Sequence, residues 1–247
     1  LKSAYEKKTL KKRIDNALYE FDNPRPLKKR EKPLGTLIEI TNACNLNCIM
    51  CNTKLSKRPV GYMKPDTFEK VLQELSTVGI KTISLHTVGE TLMYRKLEDL
   101  FKFIEHHGFL LWLCTNGQFP ERIEPLYLRF PGLANSYRFS IDGATKDTYE
   151  TIRLGGKFEK VIKSLETIHC INEGKKNSRI STSIYSILST TNIYEIPDFF
   201  KVFGKYCWPE SIEFNLVNGL SPDPNYFRES FPFPNLISKT VPCYMPF

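Results

Sequence analysis

The sequence lacks any long apolar run, and it lacks the cysteine pattern of a small secreted domain. No stretch of its 247 residues approaches membrane-spanning length, so we expect no transmembrane helix. Cysteine occurs seven times, an odd number, and three of the seven fall within eight residues, which argues against a disulfide framework. Because clustered thiols require a reducing compartment, we expect a cytoplasmic protein.

The sequence also lacks an initial methionine, and it stops abruptly at Phe247. We therefore expect a piece of a longer protein, in which a signal peptide is not excluded. Residues 1–32 carry 11 Lys and Arg against 5 Asp and Glu, so most of the net charge of +8 lies there. We interpret this segment as a basic helix and linker with a solvated face, and a contact with RNA or a membrane surface is the alternative.

From residue 33 onward, strand and helix patterns alternate. The predicted strands are 35–41, 81–86, 109–115, 136–142, 179–188 and 211–217. The predicted helices are 65–75, 95–107, 121–129, 157–171 and 192–203, the last interrupted near Pro197, and an amphipathic helix over 3–21 precedes them. Six strands with five helical crossovers predict one parallel α/β domain, and periodicity leaves a doubly wound sheet and a barrel equally open. Residues 218–247 show no periodicity and are predicted to begin a truncated C-terminal extension.

Unusual residues follow the predicted strands at the points where the strands end. Gly89 and Glu90 follow the second strand, TNG (115–117) ends the third and SIDG (140–143) ends the fourth. Ligands of α/β folds bind at the carboxyl ends of the strands. We therefore expect these residues to meet the three clustered cysteines, which follow the first strand, at one site.

The segment CNLNCIMC (44–51) contains three cysteines where most metal sites need four ligands. Structural zinc needs a fourth ligand, but the nearest histidine, His86, lies a whole helix away and no second CxxC exists. A redox pair of Cys48 and Cys51 would not require Cys44. A four-iron cluster held by three thiolates would leave one iron open to a small molecule.

These motifs resemble the radical S-adenosylmethionine (SAM) superfamily. CNLNCIMC matches its CxxxCxxC signature, and HTVGET (86–91) is similar to its Gly-Glu motif after the second strand. SIDG with TYETIR (148–153) is similar to the SPASM/twitch-type and molybdenum-cofactor-type members. The resemblance covers residues 33–217 and implies a partial (β/α)6 barrel as the core.

The resemblance implies that Cys44, Cys48 and Cys51 hold a [4Fe–4S] cluster, whose open iron is chelated by SAM. It further implies reductive cleavage of SAM to a 5′-deoxyadenosyl radical, which abstracts hydrogen from a peptide or sugar-like substrate. The electron would come from a donor such as flavodoxin or ferredoxin.

The resemblance also implies the SAM contacts. Glu90 would accept a hydrogen bond from the SAM amino group, beside a close backbone approach at Gly89. Ser140 would contact SAM near its ribose and carboxylate, and Arg153 would pair with that carboxylate. The family motif usually continues with proline, whereas this chain has Thr91.

Three further assignments concern single side chains. Met50 is expected to cover the cluster or the adenine, and Leu188 is a candidate adenine contact. Asp142 is predicted to be a turn residue, since Asp-Gly is a turn signal.

The remaining cysteines are divided into expected core thiols and one candidate ligand. Cys114, Cys170 and Cys207 are the core thiols, whereas VPCYMPF resembles the start of a SPASM or twitch extension, in which Cys243 would contribute to an auxiliary iron–sulfur cluster.

Two rival functions remain at this stage. One is a non-enzymatic iron–sulfur or metal-binding module. The other is an RNA-modifying radical SAM enzyme that holds RNA with residues 1–32, although basic and aromatic residues do not interleave elsewhere in the chain, so we do not expect a nucleic-acid partner.

Overall fold

The structure is a computed structural model that describes residues 33, 35–51, 53, 56–174 and 180–216. The predicted N-terminal arm, the predicted C-terminal extension and Cys243 lie outside the described residues. Within the described residues, no helix has both the length and the apolar character needed to cross a membrane.

Six parallel strands form one sheet whose spatial order follows the chain. The strands are β1 (Gly35–Leu37), β2 (Thr82–Ser84), β3 (Leu110–Thr115), β4 (Ser136–Ser140), β5 (Ser181–Leu188) and β6 (Ile212–Leu216). Each strand pairs in parallel with the next one. A doubly wound sheet reverses its strand order at a switch point, whereas this order never reverses. The sheet is therefore a partial (β/α)6 barrel, which confirms the predicted fold class of the core.

Helices follow the strands as crossovers. They are α1 (Pro65–Thr77), α2 (Leu97–His106), α3 (Pro120–Arg129), α4 (Lys146–Ile152), α5 (Phe158–Glu173) and α6 (Ile196–Phe203). Short 3₁₀ turns occupy Thr91–Met93, Ile193–Glu195 and Pro209–Ser211. Proline occupies the first turn of α1, α3 and α6, where its missing N–H costs nothing. Pro197 therefore opens α6, and the predicted helix over 192–203 is divided just before it, into the 3₁₀ turn Ile193–Glu195 and α6.

The two faces of the sheet differ sharply in burial. On β3, Leu111 and Leu113 are buried in the core beneath the helices, whereas Leu110 and Trp112 are exposed. On β4 the buried residues are likewise Tyr137 and Phe139. Since successive strand residues point to opposite faces, the alternation separates a helix-covered outer face from an open inner wall.

The predicted core thiols have three different environments. Cys114 is buried, as predicted. Cys207 is half-buried and packs against the core, whereas Cys170 is exposed on α5, so the prediction of a core thiol is wrong there. A position on a 16-residue helix does not by itself say which side of the helix faces the protein.

Candidate active site

The predicted site residues meet in one cavity of about 230 Å³ at the carboxyl ends of the strands. The predicted residues that line it are Cys44, Cys48, Cys51, Met50, Gly89, Glu90, Ser140 and Arg153. Leu188 is the exception: it is buried and does not belong to the lining, whereas its neighbour Ile187 does. Strand alternation explains this, because the two side chains point to opposite faces of β5.

The cysteine loop is held by backbone hydrogen bonds to the segment that ends α4. The amide of Asn47 donates to the carbonyl of Leu154 at 2.8 Å, and the amide of Ile49 donates to the carbonyl of Ile152 at 3.0 Å. The short helix α4 begins at a capping residue, Thr145, whose side chain accepts from the amide of Thr148. This helix was absent from the sequence prediction, yet it fixes the loop that carries the thiols.

The three thiols share the cavity without converging on one point. In the part of the chain that the structure describes, no three His, Cys, Asp or Glu side chains are close enough to bind a single metal ion. A single zinc ion requires such convergence, whereas in a four-iron cluster each thiolate binds a different iron atom. Soft sulfur donors such as these three thiols suit an iron–sulfur cluster.

Burial controls the protonation of two of the thiols. Desolvation raises the pKa of Cys48 to about 11, although the nearby charge of Arg153 opposes the shift. Burial also raises the pKa of Cys44. Because a metal ligand must be a thiolate, cluster binding would release protons from this site.

Gly89 lets the loop after β2 touch the segment before Cys44. A Cβ atom at Gly89 would lie 2.2 Å from the carbonyl oxygen of Thr41 and 2.9 Å from that of Ala43. The next amide, that of Glu90, donates to the carbonyl of Ala43 at 2.8 Å. The close approach predicted for this glycine is therefore present, and its partner is the protein backbone.

The carboxylate of Glu90 joins the ends of β2 and β3. It accepts hydrogen bonds from the amide of Leu92 at 3.0 Å and from the hydroxyl of Thr115 at 2.8 Å, both through Oε1. Its Oε2 accepts from the amide of Asn116 at 2.7 Å. Burial raises the pKa of Glu90 even though these three donors lower it. Because Oε2 accepts only one of these hydrogen bonds, it can accept another from a ligand.

Arg153 and Asp142 form a buried ion pair beside the cysteines. The Arg153 guanidinium lies 2.7 Å from Asp142 Oδ2, and both side chains are almost fully buried. Asp142 Oδ1 accepts from the amide of Ile187 at 2.7 Å. The predicted role of Asp142 as a turn residue is therefore wrong, because it is the counterion of Arg153. Although burial alone would lower the pKa of Arg153, the charge of Asp142 raises it above its ordinary range.

Asn116 and His86 are among the residues that line the cavity without having been predicted as ligands. The Asn116 side chain donates to Asn45 Oδ1 at 2.9 Å and reaches Cys44 Sγ at 3.9 Å. His86 lines the same cavity. The sequence did carry a signal for Asn116, since TNG ends a strand. For His86 it carried only the proximity to Gly89.

Comparisons with known proteins identify the family of this chain. The model of the Radical SAM superfamily matches residues 38–200. An AdoMet-dependent heme synthase of Methanosarcina barkeri is 28% identical over 168 residues, which is 66% of this chain and 45% of that protein. A GTP 3′,8-cyclase of Clostridium botulinum is 29% identical over 185 residues, or 72% and 54% of the two chains. The mycofactocin maturase MftC of Mycobacterium ulcerans is 23% identical, with 71% and 46% covered. The chain thus spans about half the length of these curated relatives.

Solved structures share the fold. SuiB of Streptococcus suis bound to S-adenosylmethionine matches with a TM-score of 0.56 at 18% identity, over 76% of this chain and 41% of that one. The protein anSMEcpe with bound AdoMet matches with a TM-score of 0.58 at 19% identity, over 75% and 52%. The superfamily uses a [4Fe–4S] cluster together with SAM, and the three clustered cysteines of this chain line one cavity with Ser140 and Arg153. The chain belongs to the radical SAM superfamily.

Proposed function

We propose that the protein reductively cleaves SAM and uses the resulting radical to take a hydrogen atom from a peptide or sugar-like substrate. The observation that carries the proposal is the joint lining of one cavity by three cysteines, Ser140 and Arg153. When bound, a [4Fe–4S] cluster with an open iron and SAM together supply a 5′-deoxyadenosyl radical.

The chain's own side chains fit the SAM molecule. The Nε–H of Arg153 is buried and has no hydrogen-bond partner among the described residues, so it is available to the SAM carboxylate. The hydroxyl of Ser140 opens onto the same cavity and can bind the carboxylate or the ribose. Oε2 of Glu90 has capacity for the SAM ammonium group. Met50 would cover the bound cofactors and exclude water.

The relatives support a choice between two substrate classes. By their names, one relative matures mycofactocin and another cyclises GTP, which contains a sugar. SuiB has been solved with the precursor peptide SuiA. The protein would function in a reducing, cytoplasmic location, because the cluster-binding cysteines must remain thiolates. A flavodoxin or ferredoxin would supply the low-potential electron for SAM cleavage.

The test is anaerobic reconstitution with iron and sulfide, followed by reduction in the presence of SAM. We expect a brown cluster and 5′-deoxyadenosine from the wild type, and neither from Cys48→Ala. The matched control is Cys170→Ala, because Cys170 is exposed on α5 and lies outside the cavity. A cluster that forms without yielding 5′-deoxyadenosine would instead indicate the rival function, a metal-binding module without SAM chemistry.

A further inference from the structure

The protonation state of His86 follows from its hydrogen bonds. Ser84 Oγ lies 2.8 Å from His86 Nδ1 and donates to the carbonyl of Trp112 at 2.9 Å. A serine hydroxyl has one proton, and that proton is used on Trp112. We therefore assign Ser84 as the acceptor of the hydrogen bond from His86, with the imidazole proton on Nδ1.

His86 is consequently a neutral ring with a bare Nε2. Burial lowers the pKa of His86, and the charge of Arg138 lowers it further. Nε2 has no hydrogen-bond partner among the described residues, and the side chain lines the cavity that contains the three cysteines. His86 Nε2 can thus accept a hydrogen bond from a substrate that lies beside bound SAM.

A fixed donor stands near this acceptor on the inner wall. Arg138 pairs in register with Cys114, another residue of the cavity lining. Its guanidinium donates to Glu213 at 2.8 Å and lies 5.9 Å from the ring centre of Trp112 and 5.7 Å from that of Tyr185. Within the described ranges, its other N–H groups have no hydrogen-bond partner. Aromatic rings and a carboxylate therefore hold a planar donor that still has free N–H groups.

An apolar strip continues from this polar pair toward the amino ends of the strands. Leu37, Leu110 and Trp112 are 57%, 64% and 51% exposed. Leu37 and Trp112 both pair with Ser84 in the sheet register, so they share one layer of the inner wall. The wall thus combines an acceptor, a donor and an exposed apolar surface.

We propose that His86 and Arg138 form a substrate subsite that recognises a peptide amide, with His86 Nε2 accepting from the amide N–H and Arg138 donating to the carbonyl. The apolar strip contacts the flanking side chain. A sugar could satisfy the polar pair, but it would leave the apolar strip uncovered, so the wall favours the peptide class. This inference rests on the proposed function and specifies its substrate.

The test uses the reconstituted, SAM-bound enzyme and two labelled probes, N-acetyl-phenylalanine methylamide and methyl glucoside, in equilibrium dialysis. We expect the amide to bind and the glucoside not to bind. His86→Leu should weaken amide binding about tenfold, which is about 1.4 kcal/mol, because the substitution removes the acceptor and leaves the amide N–H unpaired. His86→Gln restores an acceptor and should recover most of the affinity. The matched control is His169→Leu, because His169 lies on α5 outside the cavity.

Parallel assays of 5′-deoxyadenosine separate this inference from the proposed function. Iron content after reconstitution and thermal denaturation show whether each variant folds, and 5′-deoxyadenosine is measured for the wild type and for His169→Leu, whose substitution lies outside the cavity. If 5′-deoxyadenosine forms but the amide does not bind, or binds His86→Leu as tightly as the wild type, the subsite is refuted while the proposed function stands. Binding of the glucoside that depends on His86 would also overturn the assignment, in favour of a sugar-like substrate.

Discussion

At the scale of single residues, two buried carboxylates organise the candidate site from opposite sides. Glu90 ties the ends of β2 and β3 together through three hydrogen bonds, and Asp142 holds Arg153 beside the cysteines. Two backbone amides and the Thr115 hydroxyl hold the Glu90 carboxylate, and a backbone amide and the Arg153 guanidinium hold that of Asp142. Neither carboxylate is therefore free to move. The groups that would face SAM are thus positioned by hydrogen bonds and an ion pair within the protein, and Oε2 of Glu90 keeps acceptor capacity for a ligand.

Asp142→Asn should destabilise the protein strongly. The substitution keeps an acceptor for the amide of Ile187 but leaves the buried charge of Arg153 without its counterion. Breaking a buried pair in this way costs about 3 to 5 kcal/mol of the free energy of unfolding. Urea denaturation of the cluster-free protein measures the loss. The matched control, Asp99→Asn, removes the exposed partner of Lys102 and should change little. An equal effect of both substitutions would contradict the assigned role.

Glu90 should make stability depend on pH in a specific direction. Its folded-state pKa is raised above 4.5 by burial, so folding favours the protonated form. Its contribution to the free energy of unfolding is therefore fully present below about pH 4.5 and is lost as the pH rises through the folded pKa. Relative to Glu90→Gln, which does not titrate, the wild type should lose stability as the pH increases. Urea denaturation of both cluster-free proteins over this pH range provides the measurement. A difference that grows in favour of the wild type with pH would mean that the three donors outweigh burial.

At the scale of elements, the site depends on loops that touch each other closely. The loop after β2 meets the segment before Cys44 through Gly89, and the end of α4 holds the cysteine loop through its carbonyls. Two other crossovers therefore contact the short segment of the first crossover that carries the cysteines. A change in any of them would move the thiols without altering a ligand.

Gly89→Ala should separate two of these loops. The new Cβ would lie within 3 Å of two backbone carbonyl oxygens, and backbone cannot rotate away as a flexible side chain can. Overpacking of this kind costs about 1 to 3 kcal/mol, and we expect a lower thermal midpoint together with a reduced iron content after reconstitution. Gly132→Ala is the matched control, since a Cβ there meets nothing within 4 Å. Equal iron content in the two variants would argue against the close approach as a determinant of cluster binding.

The sequence predicted the elements that have a strong periodic pattern, but it did not predict short ones. Each of the six predicted strands overlaps a strand of the sheet, because apolar runs in a parallel sheet are distinct from polar loops. Helix α4 has only seven residues, too few for a helical repeat to stand out, and its sequence was interpreted only as a motif. The pairing of Asp142 with Arg153 could not be predicted either, since Asp-Gly is equally typical of a turn and burial is a tertiary property.

At the scale of the whole molecule, the open inner wall and the cavity form one continuous surface on the sheet. The outer face is covered by helices, whereas the inner wall offers Arg138, Tyr185 and Trp112 to a ligand. The cavity that would hold SAM lies at the carboxyl end of this wall. SAM binding should therefore be coupled to the stability of the entire sheet, since its lining comes from the loops that follow β1 to β3 and from β4 and β5.

SAM should raise the thermal midpoint of the cluster-loaded protein but not that of a protein without the cluster. A ligand that binds only the native state at 100 times its Kd adds about 2.7 kcal/mol. For a chain of this size, each kcal/mol raises the midpoint by about 2 to 4 °C, so we expect a shift of about 5 to 11 °C. Anaerobic thermal denaturation with and without SAM measures it. Cys48→Ala should show no shift, because the open iron that would chelate SAM is lost with the cluster, and Cys170→Ala should behave as the wild type does. A shift of the same size in Cys48→Ala would mean that SAM binds without the cluster, which the proposed function does not allow.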